Sequence, residues 1–253
     1  MPLPIRRSGN RPGLNPNTFA NLPRLGIGAE SMTVQGTVNK GFLLLVVLMA
    51  AALWPWSQYM STGDVQTVSS SMMIGLIGGF VLALIISFKA TLAPYLAVPY
   101  AALEGLAIGG FSAILEQRHP GIAIEAVGLT LGVLAVLLVA YKAGLIRVTA
   151  RFRAMVIGAT GGIMLLFLAT WILSFFHVAV PVLYSSSPLG IGISLFIVAI
   201  AALNLVLDFD FIERGAAGGA PKYMEWYGAF GLMVTLVWLY IEILTLLSQT
   251  RRE

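Results

Sequence analysis

The sequence contains no cysteine, which excludes disulfides, thiolate metal sites, cysteine nucleophiles and iron–sulfur ligation together. Histidine is almost as scarce: His119 and His177 are too few for a histidine-rich zinc site. Charge is also short. Only 10% of the 253 residues are Asp, Glu, Lys or Arg, whereas a soluble domain carries about 25%. A chain this poor in charge cannot present the surface that a soluble fold or a nucleic-acid-binding protein needs. What it has in abundance is apolar side chains, at 58% of residues.

A hydrocarbon core about 30 Å thick takes about 20 helical residues to cross. Seven apolar runs approach that length, over 40–59, 72–88, 95–115, 122–142, 154–176, 189–209 and 226–247. None alternates with the period of two that an outer-membrane barrel requires. The expected fold class is therefore all-α, a seven-transmembrane-helix bundle. Lys89 and Pro94 are the main interruptions between the second and third runs, which predicts a tight antiparallel pair. Three serines and Pro188 announce the sixth.

The net charge of +4 says little as a sum and needs no acidic ligand to explain it; the placement of the basic residues is the topology signal. With the N-terminus cytoplasmic, the inner segments hold Arg6, Arg7, Arg11, Arg24, Lys40, Lys89, Lys142, Arg147, Arg151, Arg153, Arg214 and Lys222. The other side holds only Arg118, Arg251 and Arg252. The positive-inside rule then places the N-terminus inside and the C-terminus outside. Residues 1–38, rich in Pro, Gly and Asn and without a signal-peptide run, are expected to form a disordered cytoplasmic arm. The transmembrane domain is expected over 39–248 and a short tail over 249–253.

Carboxylates in hydrocarbon are costly unless paired, protonated or wet, which makes intramembrane acids the functional candidates. Glu104 lies near the middle of the third run, beside Gly105 and Gly109, one turn apart, which invite close approach of another helix. Asp208 and Asp210 lie near the C-terminal end of the sixth, where the helix dipole disfavours negative charge. Two residues apart, they point to different sides, and Asn204, one turn before Asp208, extends a polar stripe inward. Glu242 is buried in the last run or reaches its outer interface; Glu125 reads as a first-turn helix acid. His119, before Pro120, and His177 read as loop residues.

Several local features carry a family resemblance. They are Glu104-Gly105; Glu125-Ala126 with Thr130; Tyr141-Lys-Ala-Gly-Leu-Ile-Arg-Val-Thr149; Asp208-Phe-Asp-Phe-Ile-Glu213; and Pro221-Lys-Tyr-Met-Glu-Trp-Tyr227. Over about 33–248, their order and spacing resemble the Bax inhibitor-1 family, particularly its prokaryotic branch. That resemblance implies a last helix surrounded by the other six, a pH-sensitive calcium leak and location in a bacterial plasma membrane. It also implies an aspartate pair, one on each of the last two spans, that shares protons and latches a cytoplasmic gate. Asp208 or Asp210 matches the first member, while Thr235 stands near the position of the second. Glu242, seven residues on and about 10.5 Å along a helix, would replace it only in a differently built site. Lys89 and Lys142 are candidates for the basic partner of the gate.

Physical chemistry is compatible with such a leak. Calcium takes oxygen ligands, and a permeation path needs a few weak sites in place of a tight cage. Glu104, Asp208 and Asp210 are the expected transient calcium ligands, with Asn204 and Thr235 along the path and Asp208, Asp210 and Glu242 as proton-sensing gate residues. No cofactor, no nucleic acid and no catalytic residue are expected; the partners are the bilayer, calcium and protons. An intramembrane aspartyl protease would need a Gly-x-Gly-Asp context, but Asn-Leu-Val-Leu precedes Asp208. A retinal protein would need a lysine in the last span, which has none. A non-conducting regulator of stress or cell-death pathways and a cation- or proton-coupled transporter remain as alternatives, the latter without a detectable inverted repeat.

Overall fold

A computed structural model describes residues 31–176 and 185–251; the expectations for residues 1–30, His177 and Arg252 lie outside that range. The described chain forms α1 (Val34–Thr62), α2 (Val65–Phe88), a 3₁₀ turn (Ala90–Leu92), α3 (Ala93–Arg118), α4 (Ile122–Lys142), α5 (Ala150–Phe175), α6 (Pro188–Ala217) and α7 (Met224–Thr250). All seven α-helices are long and apolar enough to span a membrane. This is an integral membrane protein of the all-α class.

Caps, more than hydropathy, decide where the helices start. Thr33, Asp64, Thr149 and Ser187 each accept a backbone N–H of the turn they open, satisfying donors that would otherwise face hydrocarbon or headgroups unpaired. As a result α1 begins at Val34, inside the stretch expected to be a disordered arm. The second span, short by hydropathy, is a 24-residue helix because Asp64 caps the polar Val65–Ser71 turns in front of the apolar run. At the far end, Gln249 is helical and 1% exposed, with Ser194 donating to its Oε1 at 3.0 Å, so α7 takes in the start of the expected tail.

Two helices occupy the middle. In both α3 and α7, 56% of the span is buried, against 11% in α5. α7 packs on α1, α3, α4 and α6; α2 leans on α3, and α5 chiefly on α6. The last helix is thus central, and α3 shares the centre with it. Glycines make the closest approaches. A Cβ on Gly105 would lie 2.3 Å from the Leu48 carbonyl oxygen, and one on Gly109 would lie 2.2 Å from that of Ala52, so α1 lies backbone to backbone on α3. Gly75 gives α2 the same access to α3 at Leu103. Large apolar side chains such as Phe42, Phe80, Ile124 and Leu165 cover the outside, as a surface facing lipid requires.

Candidate functional site

The antiparallel succession of helices gathers the α2–α3, α4–α5 and α6–α7 connections at one end of the bundle, with the start of α1. Eight of the ten described Lys and Arg residues lie at that end: Lys40, Lys89, Lys142, Arg147, Arg151, Arg153, Arg214 and Lys222. Three carboxylate sites are built there, each by a different set of helices.

The first is Asp208. It faces α7, where its Oδ1 would lie 3.9 Å from a Cβ on Gly231 and its carboxyl group stands beside the Thr235 hydroxyl. The Thr235 hydroxyl also lies 3.2 Å from the Gly231 carbonyl oxygen, and Thr235 is 9% exposed. Gly231 and Thr235 are one turn apart, so α7 offers Asp208 a small notch and one hydroxyl. Asp208 Oδ2 is the buried side-chain polar atom left without a partner among the described residues. Such orphans are rare in native proteins and mark places where a proton, water or ion is accommodated.

The second site is Asp210, which points away from α7. Arg153 of α5 reaches its Oδ2 at 2.6 Å, and Arg214, one turn later on α6, donates from Nε to Oδ1 at 2.8 Å. Tyr141 at the end of α4 donates to Glu213 Oε2 at 2.5 Å. These contacts tie the ends of α4, α5 and α6 together. Asp208 and Asp210 therefore divide as helical spacing requires: one orphaned toward the central helix, the other neutralised at the rim.

The third site was not anticipated. Glu225, the second residue of α7, is fully buried. It pairs with Lys40 of α1 and, at 3.2 Å, with Lys222, and it accepts the N–H and hydroxyl of Thr33 at 2.9 and 2.8 Å. Lys40 also stands 5.4 Å over the Trp226 ring. Beside this clasp Met32 donates its N–H to Ala220, and its side chain packs with Ile212 and Ala220. The available sequence signal was Thr33, an N-cap residue immediately before a helical run.

The other candidates lie elsewhere. Glu104 takes the Tyr100 hydroxyl on its own helix, and its Oε2 lies against Gly79 of α2. Asn204 does not continue a stripe to Asp208; its amide donates to Thr160 of α5 at 2.8 Å and to the Ile200 carbonyl oxygen. Glu242 is 7% exposed and accepts Trp238 Nε1 at 3.2 Å, so it is buried instead of reaching the outer interface. It lies about 10.5 Å farther along α7 than Thr235, toward the opposite end. Glu125 pairs with Arg251 at 2.6 Å. Lys89 and Lys142 are exposed and meet no carboxylate among the described residues; the basic partners are Arg153 and Arg214 for Asp210, and Lys40 and Lys222 for Glu225. Among the described residues no three acidic or imidazole side chains converge on a metal-sized site, so Glu104, Asp208 and Asp210 do not form one cage.

Seven apolar helices with the last one central match the fold expected from the sequence. The family model described as Bax inhibitor 1 like matches residues 7–252, nearly the whole chain. The chain belongs to the Bax inhibitor 1 like family. Comparison with curated proteins and with solved structures gives no match. Within this Bax inhibitor 1 like chain, Asp208 and Thr235 meet across α6 and α7.

Proposed function

We propose that this protein is a calcium leak pathway whose opening is controlled by protonation at the α6–α7 contact, with the Lys- and Arg-rich end of the bundle in the cytoplasm. The observation that carries the reading is Asp208, a carboxyl group facing the central helix with one buried oxygen unpartnered. A buried group in that state changes charge, hydration and packing together when it gains or loses a proton. Among the described residues its side-chain neighbour across the contact is the Thr235 hydroxyl, which can donate to a carboxylate or accept from a carboxylic acid, so a proton gained by Asp208 removes its charge and reverses the hydrogen bonding across the contact. The controlling element is then the separation of α6 from α7 around Gly231, and one carboxyl group supplies the proton-dependent step. Asp210 and Glu225, matched by four basic side chains, anchor the helix ends around it. Transient cation contacts fall to Asp208 and the backbone oxygens that an opened contact exposes.

Calcium flux through purified protein in liposomes, followed by an internal dye from pH 5 to 8, tests this. Wild type is expected to pass calcium in a pH-dependent manner, and Asp208→Asn to flatten that dependence. Glu242→Gln, remote from the contact, is expected to leave it in place. If wild-type flux is absent, or its pH profile survives Asp208→Asn unchanged, the reading is wrong and the non-conducting regulator takes its place.

A further inference from the structure

The basic side chains at the Lys- and Arg-rich end are not used equally. Lys40, Arg153, Arg214 and Lys222 are engaged by Asp210 and Glu225. Lys142, Arg147 and Arg151, within ten residues of one another on the α4–α5 connection, have no carboxylate partner among the described residues. Two of them line a cleft of about 360 Å³ between the end of α4, the connection and the end of α6, with Tyr141, Ile146, Glu213 and Arg214 among the other walls. The acids in that cleft do not balance it. Asp210 is already matched by Arg153 and Arg214, which leaves Glu213 alone against Lys142 and Arg147.

The connection itself is built to face a bilayer. α4 ends in a Schellman turn: Gly144 adopts φ +71°, its N–H bonds the Tyr141 carbonyl oxygen, and the Leu145 N–H bonds that of Ala140. The same turn ends α6 at Gly219, and there the following residue, Ala220, is buried against Met32 and Ile212. In the α4 turn the corresponding residue, Leu145, is 79% exposed. An exposed leucine between Lys142 and Arg147, at the end of two membrane-spanning helices, sits at the level where acyl chains give way to headgroups.

We propose that this cleft is a binding site for the phosphate of an anionic phospholipid headgroup, held by Lys142 and Arg147, with Leu145 inserted among the acyl chains beside it. The site is separate from the α6–α7 contact and stands whether or not that contact conducts. Lipid supplies both halves of the ligand, an anion for the cations and hydrocarbon for the leucine, which a free phosphate cannot.

Native mass spectrometry of the full chain in mild detergent, with added phosphatidylglycerol or phosphatidylcholine, reads occupancy, and thermal unfolding reads stabilisation. Wild type is expected to retain one phosphatidylglycerol in preference to phosphatidylcholine. Each neutralised cation should weaken retention about fivefold, so Lys142→Gln with Arg147→Gln loses it almost entirely. Leu145→Asn should weaken it further, while Lys89→Gln, at an exposed cation of the same end with no ion pair among the described residues, should leave it as in wild type. All four side chains are exposed and form no ion pair among the described residues, so the variants should fold, as size-exclusion profiles will register. The proposal is overturned if the double variant retains phosphatidylglycerol as wild type does, if phosphatidylcholine is held equally, or if Lys89→Gln loses as much. It is also overturned if inorganic phosphate alone stabilises the protein as much as the lipid, which would make the site one for free phosphate.

Discussion

The Glu225 clasp makes a prediction in which the sign of a mutation reverses with its background. Gly36, in the first turn of α1, faces the Glu225 carboxyl group so closely that an added Cβ would lie 2.2 Å from Oε1, 2.4 Å from Cδ and 2.5 Å from Oε2. A carboxylate at the tip of a flexible side chain can ordinarily step aside. This one is held by Thr33, Lys40 and Lys222 and is fully buried, so withdrawing it from an added methyl group breaks contacts that water cannot replace. Gly36→Ala should therefore destabilise the protein by about 1–3 kcal/mol, the usual range for overpacking. Glu225→Ala should cost about 3 kcal/mol, the lower end for removing one partner of a buried ion pair, because Lys40 is 19% and Lys222 42% exposed and each recovers some solvation. At about 2–4 °C per kcal/mol, that is a fall of about 6–12 °C in Tm.

Combining the two changes separates this account from a general sensitivity of the region. With Glu225→Ala the space beside Gly36 is vacated, and Gly36→Ala then does what it does in an unobstructed helix, adding about 0.4–1 kcal/mol by restricting the unfolded chain. The double variant should be more stable than Glu225→Ala alone, and the coupling between the positions should reach about 1.4–4 kcal/mol. Thermal or denaturant unfolding of the four proteins in the same detergent gives every number needed. If Gly36→Ala shifts stability equally and in the same direction in both backgrounds, Glu225 is not seated against α1 and the clasp is misassigned.

Other consequences follow from the packing and from the ion pairs. Gly109→Ala would drive a Cβ to 2.2 Å from the Ala52 carbonyl oxygen, where backbone has to yield, and should cost at least 1–3 kcal/mol, roughly the overpacking range; Gly128→Ala, whose Cβ meets nothing within 4 Å, should instead gain about 0.5–1 kcal/mol. Opposite signs in thermal unfolding support the α1–α3 contact, and equal effects refute it. Double-mutant cycles at Asp210 should give a larger coupling with Arg153, whose side chain is 37% exposed, than with Arg214 at 59%; about 1 kcal/mol and a few tenths, respectively, are expected from the screening of exposed pairs. The reverse order would mean that the tie from α6 to α5 is not made through Arg153.

The architecture was legible because the bilayer imposes few solutions. Runs of apolar residues about 20 long can only be helices there, and Gly105 and Gly109 announced a close approach without revealing that the visitor would be α1. The site was legible only as far as local geometry reaches. That Asp208 and Asp210 diverge follows from helical spacing, and so does the reach of Arg214, four residues after Asp210. Which of the two faces α7 depends on how α6 is rotated, and that is fixed by contacts far away in sequence, such as Ser194 with Gln249 and Asn204 with Thr160. The same distance hid Glu225. Its partners Thr33 and Lys40 lie 192 and 185 residues earlier, Thr33 in a stretch whose composition reads as a tail and Lys40 at the start of the first span, and neither points to Glu225 until the start of α7 is placed beside them. A lysine near the start of a first span satisfies the positive-inside rule wherever its ammonium group points, so counting it fixes topology and says nothing of its partner. Burial changes that: a carboxylate with no exposed surface requires cations, and once α7 is central its first turn has α1 as a neighbour and Lys40 within reach. The charges counted by the positive-inside rule are thus, at Lys40, Arg153, Arg214 and Lys222, the same charges that pair with the acids at the helix ends around Asp208.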